Sequence, residues 1–183
     1  MRPLLYLAIT CTILFTSCTN DVAGTAGVFT NPLDPETAAE IGFLTPAVVF
    51  FPATASTSVG SGVTLDIHAM DVDSIAGSRI QVSYNKTKLS LLSLSQGSFY
   101  DGAPEMLFYY EDDTDLGLID IYSGFLGVDS AFVSGTGQLA SMVFTTISAG
   151  VSTVAFTDAS EFVDPLDNPI EILGFGTSEV VAE

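Results

Sequence analysis

The densest chemistry in the sequence lies between Leu107 and Asp115. Leu107-Phe108-Tyr109-Tyr110 puts aromatic rings at consecutive positions, and Glu111, Asp112, Asp113 and Asp115 follow directly. Two kinds of chemistry use such residues. Planar rings stack on pyranose faces while polar neighbours meet the hydroxyls. In an extended segment, alternation puts Leu107 and Tyr109 on one face and Phe108 and Tyr110 on the other. With Tyr122 on a neighbouring strand, Tyr109 forms a candidate sugar platform. The competing use of the same residues is a core face backed by a partly buried cross-strand pair. The absence of Trp, the strongest sugar-stacking residue, favours that second use. The carboxylates are candidates for calcium, which takes about six to eight oxygens from a flexible loop. Asp71 with Asp73, and Asp164 with Asp167 and Glu171, are sparser groups of the same kind. None follows the helix-loop-helix ligand spacing. No cofactor is expected, and Glu111, Asp112, Asp113 and Asp115 stand only as weak calcium candidates.

Other reactive side chains are few. His68 is the sole histidine and sits on the polar side of an alternating run, near Asp66. Acid–base or metal work needs more partners than surround it. No nucleophile elbow, phosphate loop or zinc spacing occurs. Paired carboxylates of the glycosidase kind need a cleft built from long loops, and most connections here are short. The expectation is a protein that is not an enzyme.

Charge narrows the partners further. The chain carries 22 acidic side chains against 4 basic ones, a net charge of −18. Phosphate binding needs clustered Lys and Arg, so nucleic acid is excluded as a partner, and anionic membrane surfaces are equally disfavoured. Beyond Arg2, the positive charges are Arg79, Lys86 and Lys88, confined to one stretch. They either neutralise acidic neighbours or, with the outward row Gly77, Arg79, Gln81 and Ser83, form part of a recognition surface for an acidic partner.

The N-terminus carries an address. After Met1-Arg2-Pro3, the run from Leu4 to Phe15 is apolar apart from Thr10 and Thr12. It is shorter than the roughly 20 residues that span a bilayer and fits a signal-peptide core. Thr16-Ser17-Cys18 resembles a bacterial lipobox, although Phe15 stands where Leu is usual. Cys18 is then the lipidation site, residues 1–17 are removed, and the protein sits lipid-anchored at the bacterial cell envelope on its extracytoplasmic side. The membrane enters only through that anchor.

The elements that must position these residues read as strands. Val63, Leu65, Ile67 and Ala69 alternate with polar residues. So do Ile80, Val82 and Tyr84, as well as Ala140, Met142 and Phe144. Gly, Asp, Ser and Asn clusters separate such segments, and no long helix is offered. The expected fold class is all-β, a single antiparallel sandwich over residues 47–173. Residues 18–46, punctuated by Pro32, Pro35 and Pro46, read as a flexible acidic spacer with at most one helical turn between Pro35 and Leu44. Residues 174–183 read as a short frayed tail.

Several segments, in order, resemble a cohesin domain. Ser58-Val59-Gly60-Ser61-Gly62-Val63-Thr64-Leu65 is similar to the glycine turn and first long strand of cohesins. Ile75 to Asn85 resembles the segment that ends in an aromatic residue, and Leu89 through Gly97-Ser98-Phe99 is similar to the next strand and its turn. Gly135-Thr136-Gly137-Gln138-Leu139-Ala140-Ser141-Met142-Val143-Phe144 looks like the cohesin G-x-L-A-x-hydrophobic-x-F strand. Phe162-Val163-Asp164 with Asn168-Pro169-Ile170 resembles the family's ending. No one motif is specific; their order carries the resemblance. It implies a jelly-roll β-sandwich of about nine strands. It also implies a non-catalytic module that attaches a secreted protein bearing a dockerin-like module through one sheet face, in polysaccharide-degrading or cell-surface assemblies. Asn85-Lys86 departs from the usual Asp-Pro. Gly77 and Arg79 stand where dockerin-binding cohesins tend to carry Asn and Asp, so a dockerin relying on those acceptors is expected to bind poorly. With one copy and no catalytic module beside it, the expectation is a single-site surface anchor. The alternative is a carbohydrate-binding module of related β-sandwich fold that binds envelope polysaccharide through Tyr109 and Tyr122.

Overall fold

The computed structural model describes residues 32–101, 106–126 and 131–183; residues 1–17 and Cys18 lie outside this range. The chain forms strands β1 (Ala47–Phe51), β2 (Thr54–Thr57), β3 (Gly62–Ile75), β4 (Gly77–Ser83), β5 (Leu89–Gln96), β6 (Met106–Asp113), β7 (Leu118–Phe125), β8 (Val133–Thr146), β9 (Gly150–Phe156), β10 (Glu161–Val163), β11 (Pro169–Ile170), β12 (Gly174–Phe175) and β13 (Ser178–Ala182), preceded by helix α1 (Pro35–Glu40). The expected all-β sandwich is what the sequence builds. One sheet has five strands in the order β12-β1-β3-β8-β5. The other has eight, in the order β11-β10-β4-β9-β13-β2, with β7 on the free side of β4 and β6 beyond it.

Alternation explains which side of each strand is dry. Val63, Leu65, Ile67 and Ala69 of β3 are buried, as are Ile80 and Val82 of β4, Ile119 and Ile121 of β7, and Ala140, Met142 and Phe144 of β8. They meet in one core between the sheets. Phe50 and Phe156 stack within it with ring centroids 4.0 Å apart.

Three details differ from the sequence expectation. Strand pairing is not wholly antiparallel, because β1 pairs with β12 and β2 with β13 in parallel. The strand pieces outnumber nine because several are two- or three-residue ladder fragments along one chain path. Finally, residues 174–183 are no loose end. β13 lies between β9 and β2, with Ser178, Val180 and Ala182 facing inward and buried. A run as short as Ser-Glu-Val-Val-Ala carries too little pattern to announce a central strand; the two neighbours that claim it are distant in sequence.

The described part of the expected spacer, residues 32–46, also packs on the domain. Asp34 caps α1, accepting from the Thr37 backbone N–H at 2.9 Å, and Pro35 occupies the first turn, where its missing N–H costs nothing. Ala38 is fully buried against Ala47, Val49 and Met70, with Leu33 and Phe43 packed alongside. α1 therefore rests on the outer face of the five-stranded sheet.

Candidate binding face

The outward row read from the sequence lies on the outer surface of the eight-stranded sheet, and strand register continues it in both directions. Arg79 stands opposite Glu161 of β10 on one side and Tyr122 of β7 on the other, and Tyr122 stands opposite Tyr109 of β6. One row therefore reads Glu161–Arg79–Tyr122–Tyr109. The next reads Gln81–Asp120–Glu111. The candidate partner face and the candidate sugar platform are a single surface.

Its polar groups bond to one another in the plane of the sheet. Arg79 donates from Nε and Nη2 to Asp120 Oδ1 at 3.0 and 2.9 Å. Gln81 Nε2 donates to both Asp120 oxygens at 3.1 Å, and Thr157 Oγ1 donates to Gln81 Oε1 at 2.7 Å. Ser83 Oγ is directed to the Ala155 carbonyl. The hydrogen bonds that Arg79 donates to Asp120 raise its pKa above the ordinary value, so this guanidinium stays charged. Arg79–Asp120 is the only ion pair among the described residues. The expected recognition of an acidic partner through Arg79 is accordingly not supported. Asp120 already cancels that charge, and Glu161, Glu111 and Asp113 leave the face acidic.

Tyr109 and Tyr122 do meet, with centroids 6.3 Å apart and planes 25° from parallel. Because β7 runs between β4 and β6, the Arg79 guanidinium, 5.8 Å from the Tyr122 centroid, lies on the opposite flank of that ring. Tyr122 is held between a cation and another ring, the arrangement of a cross-strand stack rather than of an open platform. Tyr109 spends its hydroxyl on Glu111 at 2.8 Å.

The calcium candidates are not brought together. Alternation sends Glu111 and Asp113 outward and Asp112 to the other face, where it accepts from the Tyr84 hydroxyl at 2.8 Å. Asp113 accepts from the backbone N–H groups of Asp115 and Leu116 and shapes the β6–β7 turn. Among the described residues no three His, Cys, Asp or Glu side chains converge as metal ligands. Lys86 and Lys88 are tied to the Asp115 and Val151 carbonyls and stay off the face. His68 lies on the other sheet with its ring edge toward Phe51; burial lowers its pKa and Asp66 partly opposes this.

Sequence reading missed one feature. Gly77 stands directly opposite Gly124, with Val163 flanking on β10 and Leu107 on β6. Two adjacent positions without side chains leave a depression of about 290 Å3 between Val163 and Leu107, bordered by Arg79 and Tyr122. Gly77 was legible as an outward position; Gly124 became its partner only through the β4–β7 register.

The fold is a two-sheet sandwich whose outer face carries a row of side chains bonded to one another. The particular family follows from comparison with known proteins. A family model for the cohesin domain matches residues 48–172, and the chain belongs to that family, whose members are non-catalytic binding modules. No curated protein matches significantly. Among solved structures, the chain is similar to a type II cohesin domain from the cellulosome of Acetivibrio cellulolyticus, with 15% identity, a TM-score of 0.64, and coverage of 74% of this chain and 95% of that one. A non-cellulosomal cohesin from the hyperthermophilic archaeon Archaeoglobus fulgidus matches at 20% identity and TM-score 0.59, covering 74% and 91%. The cohesin of a type I cohesin–dockerin complex from Clostridium thermocellum matches at 16% and 0.60, covering 75% and 94%. At these identities the structural likeness establishes the fold.

Proposed function

We propose that this chain is a non-catalytic capture module, held extracytoplasmically at the bacterial cell envelope by a lipid on Cys18. Its outer face across β10, β4, β7 and β6 binds a dockerin-type module of a secreted protein. Cohesin membership over residues 48–172 carries the reading, and solved cohesins of the same fold occur in complex with dockerins. The internally bonded network from Thr157 through Gln81 and Asp120 to Arg79 supports it, because a face whose side chains are already ordered loses little entropy on docking. The lipid anchor rests on the apolar run that ends at Thr16-Ser17-Cys18. The polysaccharide alternative is less favoured, because both flanks of the Tyr122 ring are occupied.

The test sets the immobilised domain against a panel of dockerin modules and a panel of polysaccharides. The expected result is dockerin binding, weakened about tenfold or more in Arg79→Glu, which removes the donor to Asp120 and breaks the ordered network of the face. Polysaccharide binding that disappears in Tyr109→Ala and Tyr122→Ala, with no dockerin retained, would reverse the proposal.

A further inference from the structure

The depression at Gly77 and Gly124 has a chemistry of its own. Its floor offers no hydrogen bonds from side chains. The hydroxyls beneath, Ser78 and Ser123, are buried and bonded to each other at 2.6 Å. Its walls are Val163 and Leu107, three strand spacings or roughly 14 Å apart, and Leu126 lies at the rim. Leu107 is 45% exposed and Leu126 48%, so apolar surface faces water beside an apolar notch. At about 290 Å3 the notch sits at the bottom of the range for small-molecule sites, about 300–1,000 Å3, and it is open rather than enclosed. That size and openness suit one protein side chain entering from above.

Charge selects what stands beside that side chain. Arg79 is neutralised by Asp120, whereas Glu161, next to Arg79 in the same row, is exposed and makes no ion pair among the described residues. Glu111 and Asp113 add negative charge at the β6 end, and the whole chain stands at −18. From this geometry we infer that the notch takes a single aliphatic side chain of the dockerin-type partner, flanked by a Lys or Arg that pairs with Glu161. The inference rests on the protein-capture reading above and specifies its chemistry. Gly77 and Gly124 are then specificity determinants, because any larger residue would fill the seat. A Cβ at Gly77 already reaches within 3.1 Å of Val163 Cγ2.

The probe is a yeast-displayed library of dockerin modules, sorted against the wild-type domain and then measured against Gly77→Val, Glu161→Lys and Leu107→Asp. Leu107 lies on the exposed edge strand, so its variant stays informative should Gly77→Val fold poorly; circular dichroism and thermal melts check all three. The selected dockerins should lose about tenfold or more in affinity on each variant. Truncating one aliphatic contact residue of the dockerin to Ala should remove the penalty of Gly77→Val, as a double-mutant cycle requires for a direct contact. Dockerins that bind all three variants within about twofold of wild type would overturn the notch while leaving the capture function standing. A library without any dockerin bound by wild type would remove both.

Discussion

At the level of single residues, the outer face is acidic and the core hides two tyrosines that titrate abnormally. Tyr84 is raised above its ordinary value of 10.0, chiefly by burial and then by its hydrogen bond to Asp112. Tyr100, buried beside Ser78 and Ser123, is raised mainly by burial. In both, the folded value lies above the unfolded one, so the unfolded chain releases these protons first. Their contribution to stability is complete below pH 10 and is lost as pH rises beyond it. The urea midpoint should therefore fall between about pH 9 and about pH 11. Tyr84→Phe should lower the midpoint at neutral pH, because Asp112 loses its donor, yet flatten the alkaline decline. An unchanged alkaline slope in that variant would mean that Tyr84 does not titrate with unfolding.

Among the elements, β13 carries more than its length suggests. Among the described residues it is the one strand that pairs with β2, and it also pairs with β9. A chain ending at Leu173 loses β12 and β13 and strands β2. The apolar burial of Val180 and Ala182 goes with them, together with two ladders. The expected cost is more than about 3 kcal/mol, a large part of a typical domain's stability. Denaturant unfolding of the shortened chain should show a strongly lowered midpoint or no cooperative transition. A midpoint equal to that of the full chain would return residues 174–183 to the status of a tail. The same scale shows why α1 matters. Its docking through Ala38, with Phe43 beyond the helix packed alongside, covers Ala47, Val49 and Met70 on the outer face of the five-stranded sheet, opposite the candidate binding face, and leaves the β10-β4-β7-β6 surface open.

For the molecule as a whole, a net charge of −18 acts on folding and binding in opposite ways. Like charges repel one another in the compact state, and salt screens that repulsion over a Debye length of about 10 Å at 0.1 M. The same salt screens attraction between Glu161 or Glu111 and a basic partner. Raising NaCl should therefore raise the melting temperature of the free domain while weakening capture of its partner. Capture that strengthens with salt would point to a face dominated by apolar contact.

The sequence alone determined the long strands β3, β4 and β8, the inward and outward sides of each, and the resemblance to the family, because period-two alternation and turn residues are local signals that survive without any partner. It also made Arg79, Gln81 and Tyr109 legible as outward residues. Only the tertiary structure decided that Arg79 is cancelled by Asp120, that Tyr122 is flanked on both sides, and that Gly77 meets Gly124 to leave a notch. The first and last of these, and the Arg79 flank of Tyr122, depend on the register between β4 and β7, strands some forty residues apart in the chain, as between Arg79 and Asp120. A register is chosen by how all the buried side chains pack at once, and no local spacing encodes it. For the same reason the last strand was invisible: β13 owes its place to β9 and β2, not to its own few residues.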